Sequence, residues 1–379
     1  MTKNRQMSKI KKTKIAMIFI TAVLVLTAVF AATPHIGANA CKYGGMSMIV
    51  IEASSNRVLY QSNAKVARPI ASTTKILTAI TVIENTDLDR VVVIPQKAQG
   101  VEGSSIYLQA GEKATVRDLL YGLMLQSGND CAVALAIAVS GDIAGFSALM
   151  NDTARKAGAT GHNFVNPHGL HDDTHLCSAY DLALITSYAL SNEEFAKIAK
   201  AKEYRGMPWQ GRDYNRVIVN KNRLLGSYEG ATGVKTGFTK RAGRCLVSSA
   251  KRDGMEIIAV VLNCGPMFEE CSRLMTKAFD EYSHGILSHA KQSIGEARLK
   301  GCDTPITLYA AQTFVYPLTK AERDRVETKI LLSDELSKGV NELKIATICY
   351  YLDSTLLGKV VAYAYDIITV EQIQKIVLL

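Results

Sequence analysis

Residues 130–139, Asp-Cys-Ala-Val-Ala-Leu-Ala-Ile-Ala-Val, form the most constraining stretch of this chain. Read as a helix, the segment has almost no polar face, and a helix that is apolar all round must be covered on every side. Its cover can be read around it. Residues 73–85 carry Ile76, Ile80 and Ile83 at helical spacings, and residues 115–125 place Val116, Leu119, Leu120 and Leu123 on one face. Residues 151–157 and 178–190 also read as helices. Strand-like segments flank this helical middle. Residues 46–53 with a hairpin partner at 56–60, and a short strand at 91–94, come before or within it. Residues 234–239, 243–250 and 256–263 follow it as successive antiparallel strands, then a helix at 268–284. Strands from both ends of a helical middle predict an α+β unit with a helical cluster on a sheet.

Beyond Gly285 the pattern turns to short strands at 304–310, 326–332, 342–351 and 359–364, with Gly358 expected to mark the last hairpin. This predicts a small β-rich domain over 285–379 behind a larger domain over 41–284. The first 40 residues stand apart. They contain Lys3, Arg5, Lys9, Lys11, Lys12 and Lys14 and no acid, then an apolar run over 15–32, then Ala38-Asn39-Ala40. That order reads as a secretory signal peptide, or as a single membrane anchor if it is not cleaved. Either places the rest of the chain outside the cytoplasm. The formal charge of +9 owes six units to this segment, so the remainder, at +3, makes no case for nucleic acid. The closing residues 370–379 carry one lysine, too few for a basic amphipathic membrane helix. The eight cysteines include no C-x-x-C pair and several sit in apolar strings, as small buried hydrophobes do.

Three polar motifs interrupt this framework. Ser72-Thr73-Thr74-Lys75 lies where the first long helix begins, and a spacing of three puts Ser72 and Lys75 on one face. A serine hydroxyl needs a base. A lysine can serve only if burial or a neighbouring cation lowers its pKa from about 10.4. The helix start supplies unpaired N–H groups beside Ser72. Ser127-Gly128-Asn129 falls between two apolar helices and must lie in a turn, where a plain helix cap is the competing explanation. Lys235-Thr236-Gly237 lies on a strand beside which an extended peptide could add, with Gly237 leaving room for it.

Each motif alone is common. In this order, S-x-x-K, S-G-N and K-T-G together resemble the active-site motifs of penicillin-binding proteins. The words around them narrow the likeness: Arg68-Pro69-Ile70-Ala71 before Ser72, Asn166-Pro167-His168-Gly169-Leu170, and Gly233-Val234 before Lys235 are similar to low-molecular-mass D-alanyl-D-alanine carboxypeptidases, peptidase family S11. The resemblance covers about residues 45–284. It implies a β-lactamase/transpeptidase-like α/β (α+β) fold and a serine acyl-enzyme on peptidoglycan pentapeptides, inhibited by β-lactam antibiotics, with no cofactor or metal. It implies Ser72 as nucleophile and Lys75 as base. Ser127 becomes a proton relay, Asn129 a partner for the substrate amide and Lys235 the charge that keeps Lys75 neutral. Thr236 would bind the substrate carboxylate, and the N–H groups of Ser72 and Phe238 would form the oxyanion hole. An arginine that often follows the third strand after K-T-G is missing from Asn263-Cys264-Gly265-Pro266-Met267, leaving Arg244 or Arg241 as substitutes. Residues 240–250 are similar to members acting on spore cortex.

Three rival readings remain at this point. His168, His171, Asp172, Asp173 and His175 are zinc-type ligands crowded together, although without the helical H-E-x-x-H spacing. A β-lactamase would need a carboxylate for deacylation, and no Glu lies between Thr160 and Tyr180. A catalytically silent wall-binding protein is the non-enzyme alternative.

Overall fold

The computed structural model describes residues 46–297, 305–338 and 343–364. The basic and apolar leader, Cys41, Cys302 and the closing residues 370–379 lie outside the described residues.

Strands β1 (Ser47–Glu52) and β2 (Val58–Ser62) form the first hairpin. A 3₁₀ turn, Ala71–Thr74, leads into α1 (Lys75–Asn85). The helical cluster continues with α2 (Val116–Leu125), α3 (Asn129–Ser140), α4 (Ile143–Lys156), α5 (Ala179–Leu190) and α6 (Glu193–Lys200). Local chemistry sets these ends. Thr115 and Asp118 make a reciprocal capping box on α2, and Ser178 caps α5 through Asp181 N. Gly141 closes α3 in the left-handed conformation, with φ of 83°. Strands β3 (Ala231–Thr239), β4 (Gly243–Arg252) and β5 (Met255–Leu262) then precede α7 (Met267–Glu281).

The central sheet is antiparallel in the order β2-β1-β5-β4-β3, so the first and last strands of this part of the chain meet in register, Ile49 opposite Val260. Both faces are covered. Ile49, Ile51, Val247, Ile258 and Val260 pack into the helical cluster, while Met48, Val50, Leu246, Ala259 and Val261 pack on Leu274, Met275 and Ala278 of α7. Helix α3 is buried along its first eight residues and lies in the middle of the cluster, as its sequence requires.

The rest of the described chain is β-rich. Strands β6 (Ser283–Ser288), β7 (Ser293–Ala297), β8 (Ile306–Ala310), β9 (Phe314–Leu318), β10 (Val326–Lys338), β11 (Leu343–Leu352) and β12 (Thr355–Ala364) follow. Five of them form a second antiparallel sheet, β7-β8-β12-β11-β10, and β6 pairs with β9. Arg57 ties this region to the first hairpin. Its guanidinium donates to Pro317 O and Glu322 and lies over the rings of Tyr282 and Tyr316.

Two boundary expectations are corrected. The helix expected through His284 stops at Glu281, and His284 pairs with Pro317 in β6–β9. The hairpin expected at Gly358 turns instead at Asp353 and Ser354, both with positive φ, and Gly358 lies within β12. There its missing side chain makes room for the Phe314 ring, which an added Cβ would meet at 2.3 Å. The six described cysteines, Cys131, Cys177, Cys245, Cys264, Cys271 and Cys349, are all buried.

Candidate active site

Ser72 sits in the 3₁₀ turn, one residue after Ala71, whose φ of 51° is unusual for a residue with a side chain. The turn is held from behind by the loop at 166–170. Gly169 approaches so closely that an added Cβ would lie 2.0 Å from Ala71 O. Thr78 Oγ1 donates to Pro167 O at 2.7 Å, and Asn166 Oδ1 accepts from Gly169 N at 2.7 Å. Two of the five residues of the zinc-type rival reading, His168 and His175, hydrogen-bond within this buttress. His175 Nδ1 accepts from Val165 N and its Nε2 meets Thr74 Oγ1 at 2.9 Å; His168 Nδ1 accepts from Leu170 N. Burial pushes the pKa of His175 down to about 4 and that of His168 to about 3. His171 Nε2 lies 3.3 Å from Asp173 Oδ1 at the surface.

Lys75 opens α1 and is fully buried. Its Nζ lies 3.0 Å from Ser72 Oγ, 2.7 Å from Asn129 Oδ1 and 2.6 Å from His168 O. Burial is the first cause holding its pKa well below the ordinary lysine range, and the nearby charge of Lys235 is the second. A neutral amine has two N–H bonds and one lone pair. With the two carbonyl acceptors on its N–H bonds, a neutral Lys75 would face the Ser72 hydroxyl with its lone pair. Lys235 is itself almost fully buried, its Nζ donating to Thr236 O at 3.0 Å; burial and then Lys221 lower its pKa to about 7.

The Ser127-Gly128-Asn129 turn carries no side-chain cap on α3, which removes the simple capping explanation. Ser127 has a φ of 63° and is 5% exposed. Asn129 Nδ2 donates to Glu102 O, so both ends of its amide hold the protein together rather than standing open. The following residue, Asp130, folds the loop above the turn: its buried carboxylate accepts from Ser105 Oγ, Ile106 N and Leu108 N at 2.6, 3.0 and 3.1 Å. Gly237 packs against the serine turn. A Cβ there would stand 3.0 Å from Ser72 N and 3.1 Å from Thr73 N, so its missing side chain admits the serine turn.

Ser72, Ser127, Thr236, Gly237 and Phe238 line one open cleft of about 290 Å³ with Ser104, Lys221, Met267 and Phe268. Ser72, Lys75, Ser127, Asn129 and Lys235, separated by up to 163 positions in the chain, thus come together at one edge of the central sheet. Sequence reasoning missed Lys221 and the apolar wall. Nothing local marks Lys221; it reaches the cleft from the chain leading to β3, with Nζ 3.3 Å from Ser104 Oγ. Of the two arginines expected to replace a missing carboxylate ligand, Arg244 lies over the Phe238 ring at 5.8 Å, and Arg241 is exposed.

A model of the D-alanyl-D-alanine carboxypeptidase family matches residues 35–265, more than half of the chain. D-alanyl-D-alanine carboxypeptidase DacF of Bacillus subtilis is 31% identical over 324 residues, covering 83% of each chain. Among solved structures, penicillin-binding protein 5 from Haemophilus influenzae superposes with a TM-score of 0.70 at 27% identity, covering 84% of this chain and 95% of that one. The Streptomyces K15 DD-transpeptidase gives 0.58 at 33% identity, over 62% and 96%. The chain therefore belongs to the serine D-alanyl-D-alanine carboxypeptidases of peptidase family S11.

Proposed function

We propose that Ser72 is the nucleophile with which this D-alanyl-D-alanine carboxypeptidase removes the terminal D-alanine from peptidoglycan stem peptides. The observation that carries the assignment is the Lys75 amine, fully buried, lowered in pKa and 3.0 Å from Ser72 Oγ. Neutral Lys75 takes the hydroxyl proton as Ser72 attacks the carbonyl between the last two D-alanines. Lys235 raises the cost of a second positive charge nearby and so keeps Lys75 basic but unprotonated. The N–H groups of Ser72 and Phe238 stabilise the oxyanion. Ser127, at the cleft wall, passes a proton to the departing amine, after which water releases the shortened peptide. Asn129 orients Lys75 through Oδ1, a role its hydrogen bonds support better than direct binding of the substrate amide. Thr236 and Lys221 receive the terminal carboxylate, because Lys221 is the cation lining the cleft where Arg241 and Arg244 do not.

The division of the chain follows the same reading: a leader over 1–40, a catalytic domain over 41–284 and a β-rich domain over 285–379. Family members act outside the cytoplasm, and so does this chain. The leader either is cleaved, releasing a secreted enzyme, or stays as an anchor that holds the enzyme at the outer face of the cytoplasmic membrane. Among the described residues no single helix is long and apolar enough to cross a membrane.

Brief exposure to penicillin followed by peptide mapping tests the assignment. A stable adduct on the Ser72 peptide, absent in Ser72→Ala, is expected, with D-alanine release from a pentapeptide lost in the same variant. An intact antibiotic and no adduct would return the case to a silent binder. Rapid antibiotic destruction without an adduct would favour a β-lactamase, but Asp172 and Asp173, the nearest acids in the loop, point to Thr174 and His171 at the surface.

A further inference from the structure

Beside the Ser127 turn a short ladder, Glu203–Tyr204 paired with Ile218–Val219, carries a loop out from the body of the fold. Its base is stitched to the cleft. Gln126 Nε2 donates to Val219 O at 2.9 Å, Lys221 N donates to Leu125 O, and Lys221 Nζ reaches Ser104. The loop holds Trp209, the sole tryptophan of the chain. Its ring packs edge-on against Tyr214 with centroids 6.0 Å apart, and the Arg216 guanidinium lies 5.2 Å from its centre. Arg216 is 3% exposed and bound to the Glu112 carboxylate, Pro208 O and Tyr107 O. Tyr107 in turn has a φ of 62°, fixed by the Asp130 carboxylate accepting N–H groups on either side of it.

Three aromatic residues are thus organised around one buried ion pair, yet Tyr107 is 73% and Tyr214 53% exposed, and Val217 and Val219 are exposed beside them. Large apolar side chains held in water by a rigid, buried scaffold add little to folding, and a contiguous exposed set of them marks an interaction surface. The charges on the loop are mixed, Arg205 paired with Glu203 and Arg212 beside Asp213, which does not suit an anionic lipid face. Flat aromatic faces edged by polar side chains suit a sugar ring, which has C–H faces and a polar rim. Stem peptides hang from a glycan of N-acylated amino sugars, so such a surface, on a ladder whose base is bonded to the cleft wall, would add a second point of attachment.

Building on the carboxypeptidase reading above, we propose that the Tyr107–Trp209–Tyr214 surface binds the glycan of the wall polymer and directs the enzyme to peptides still attached to it. Trp209 reports the event itself. In the full-length chain, a tetramer of N-acetylglucosamine and peptide-free wall glycan should each shift Trp209 emission saturably, and Tyr214→Ala should abolish the shift. The same variant should lower kcat/KM five- to tenfold on polymeric peptidoglycan and leave it within twofold on free pentapeptide. No saturable shift with either sugar would overturn the proposal. So would equal losses on both substrates, which indicate a structural role, or emission shifted by anionic phospholipid vesicles and not by sugars, which indicate a membrane surface. The emission assay needs no turnover. Sugar binding without penicillin acylation of Ser72 would retain this surface and defeat the catalytic assignment, and acylation without sugar binding would do the reverse.

Discussion

The two five-stranded sheets of this molecule are both antiparallel, yet they treat their side chains differently. In the central sheet β1 is buried at all six positions and β5 at seven of eight, because helices cover both faces. In the second sheet β8 alternates buried and half-buried residues, and β12 does the same toward its end, around a single small core of Leu308, Ile348, Tyr350 and Val360. Lysines on the two sheets differ accordingly. Lys235 on β3 is almost completely buried with its pKa lowered to about 7, whereas Lys329 on β10 is exposed and lies over the Tyr351 ring. A sheet covered on both faces can desolvate an amine at its edge; a sheet with one wet face leaves it in water. Desolvation of the amine follows from the cover on the sheet more than from the residue type.

This contrast can be broken first at Lys75. Lys75→Met keeps the length of the side chain and removes the base, and should reduce the penicillin acylation rate by about 10³-fold or more, since loss of a general base typically costs 10²–10⁴-fold. Lys329→Met should leave acylation unchanged. Acylation as fast in Lys75→Met as in the parent would show that burial of this amine is incidental. Gly237→Ala comes next. Its Cβ would press on Ser72 N and Thr73 N, and a displacement of several tenths of an ångström between strand and turn should slow acylation by roughly 10- to 100-fold. Gly358→Ala, in the second sheet, should instead cost stability through the Phe314 ring without touching acylation.

Lys235 sharpens the energetic side. Its folded pKa lies below its unfolded value, so the unfolded chain holds the extra proton between about pH 7 and about pH 10.4, and this group's contribution to stability rises across that window. Lys235→Met should therefore be more stable than the parent at pH 7, by about 1–3 kcal/mol, as replacement of buried charge by apolar groups often is. The difference should fade as pH approaches 10. A parent and variant that melt together at every pH would show that the amine is not desolvated. The histidines of the buttress act in the acid range. Their folded pKa values of about 3 and about 4 lie below 6.5, so stability should fall as pH drops from 6.5 toward 4, by up to roughly 3 kcal/mol for His175. His175→Gln should flatten that slope in chemical denaturation. The smallest effect is expected at Arg57, which joins the two regions. Arg57→Ala should lower the stability of the β-rich part by about 1–2 kcal/mol through lost packing and hydrogen bonds, with acylation of Ser72 unaltered.

Much of this is legible in the sequence. The apolar length of α3, the strand triplet β3–β5 and the Ser72–Lys75 spacing all express local periodicity, which a sequence displays directly. Helix α6 gives a weak apolar signal because its eight residues have charged ends, β6 and β7 read as loop because they are short with polar faces, and β9 is hidden by Pro317, which argues against a strand. Gly358 misled because a glycine that admits a ring cannot be told from one that makes a turn until the ring is seen.

The sequence by itself determined the fold class and the family, because helical and strand periods and three short motifs are written in neighbouring residues. Tertiary structure alone decided that Lys75 is buried with its pKa lowered, that His168 and His175 brace the serine turn, that Gly237 makes room for Ser72, and that Lys221 faces the cleft. Those properties depend on which distant groups exclude water from an atom and which charges stand within a few ångströms of it, and residues more than a hundred positions apart settle both.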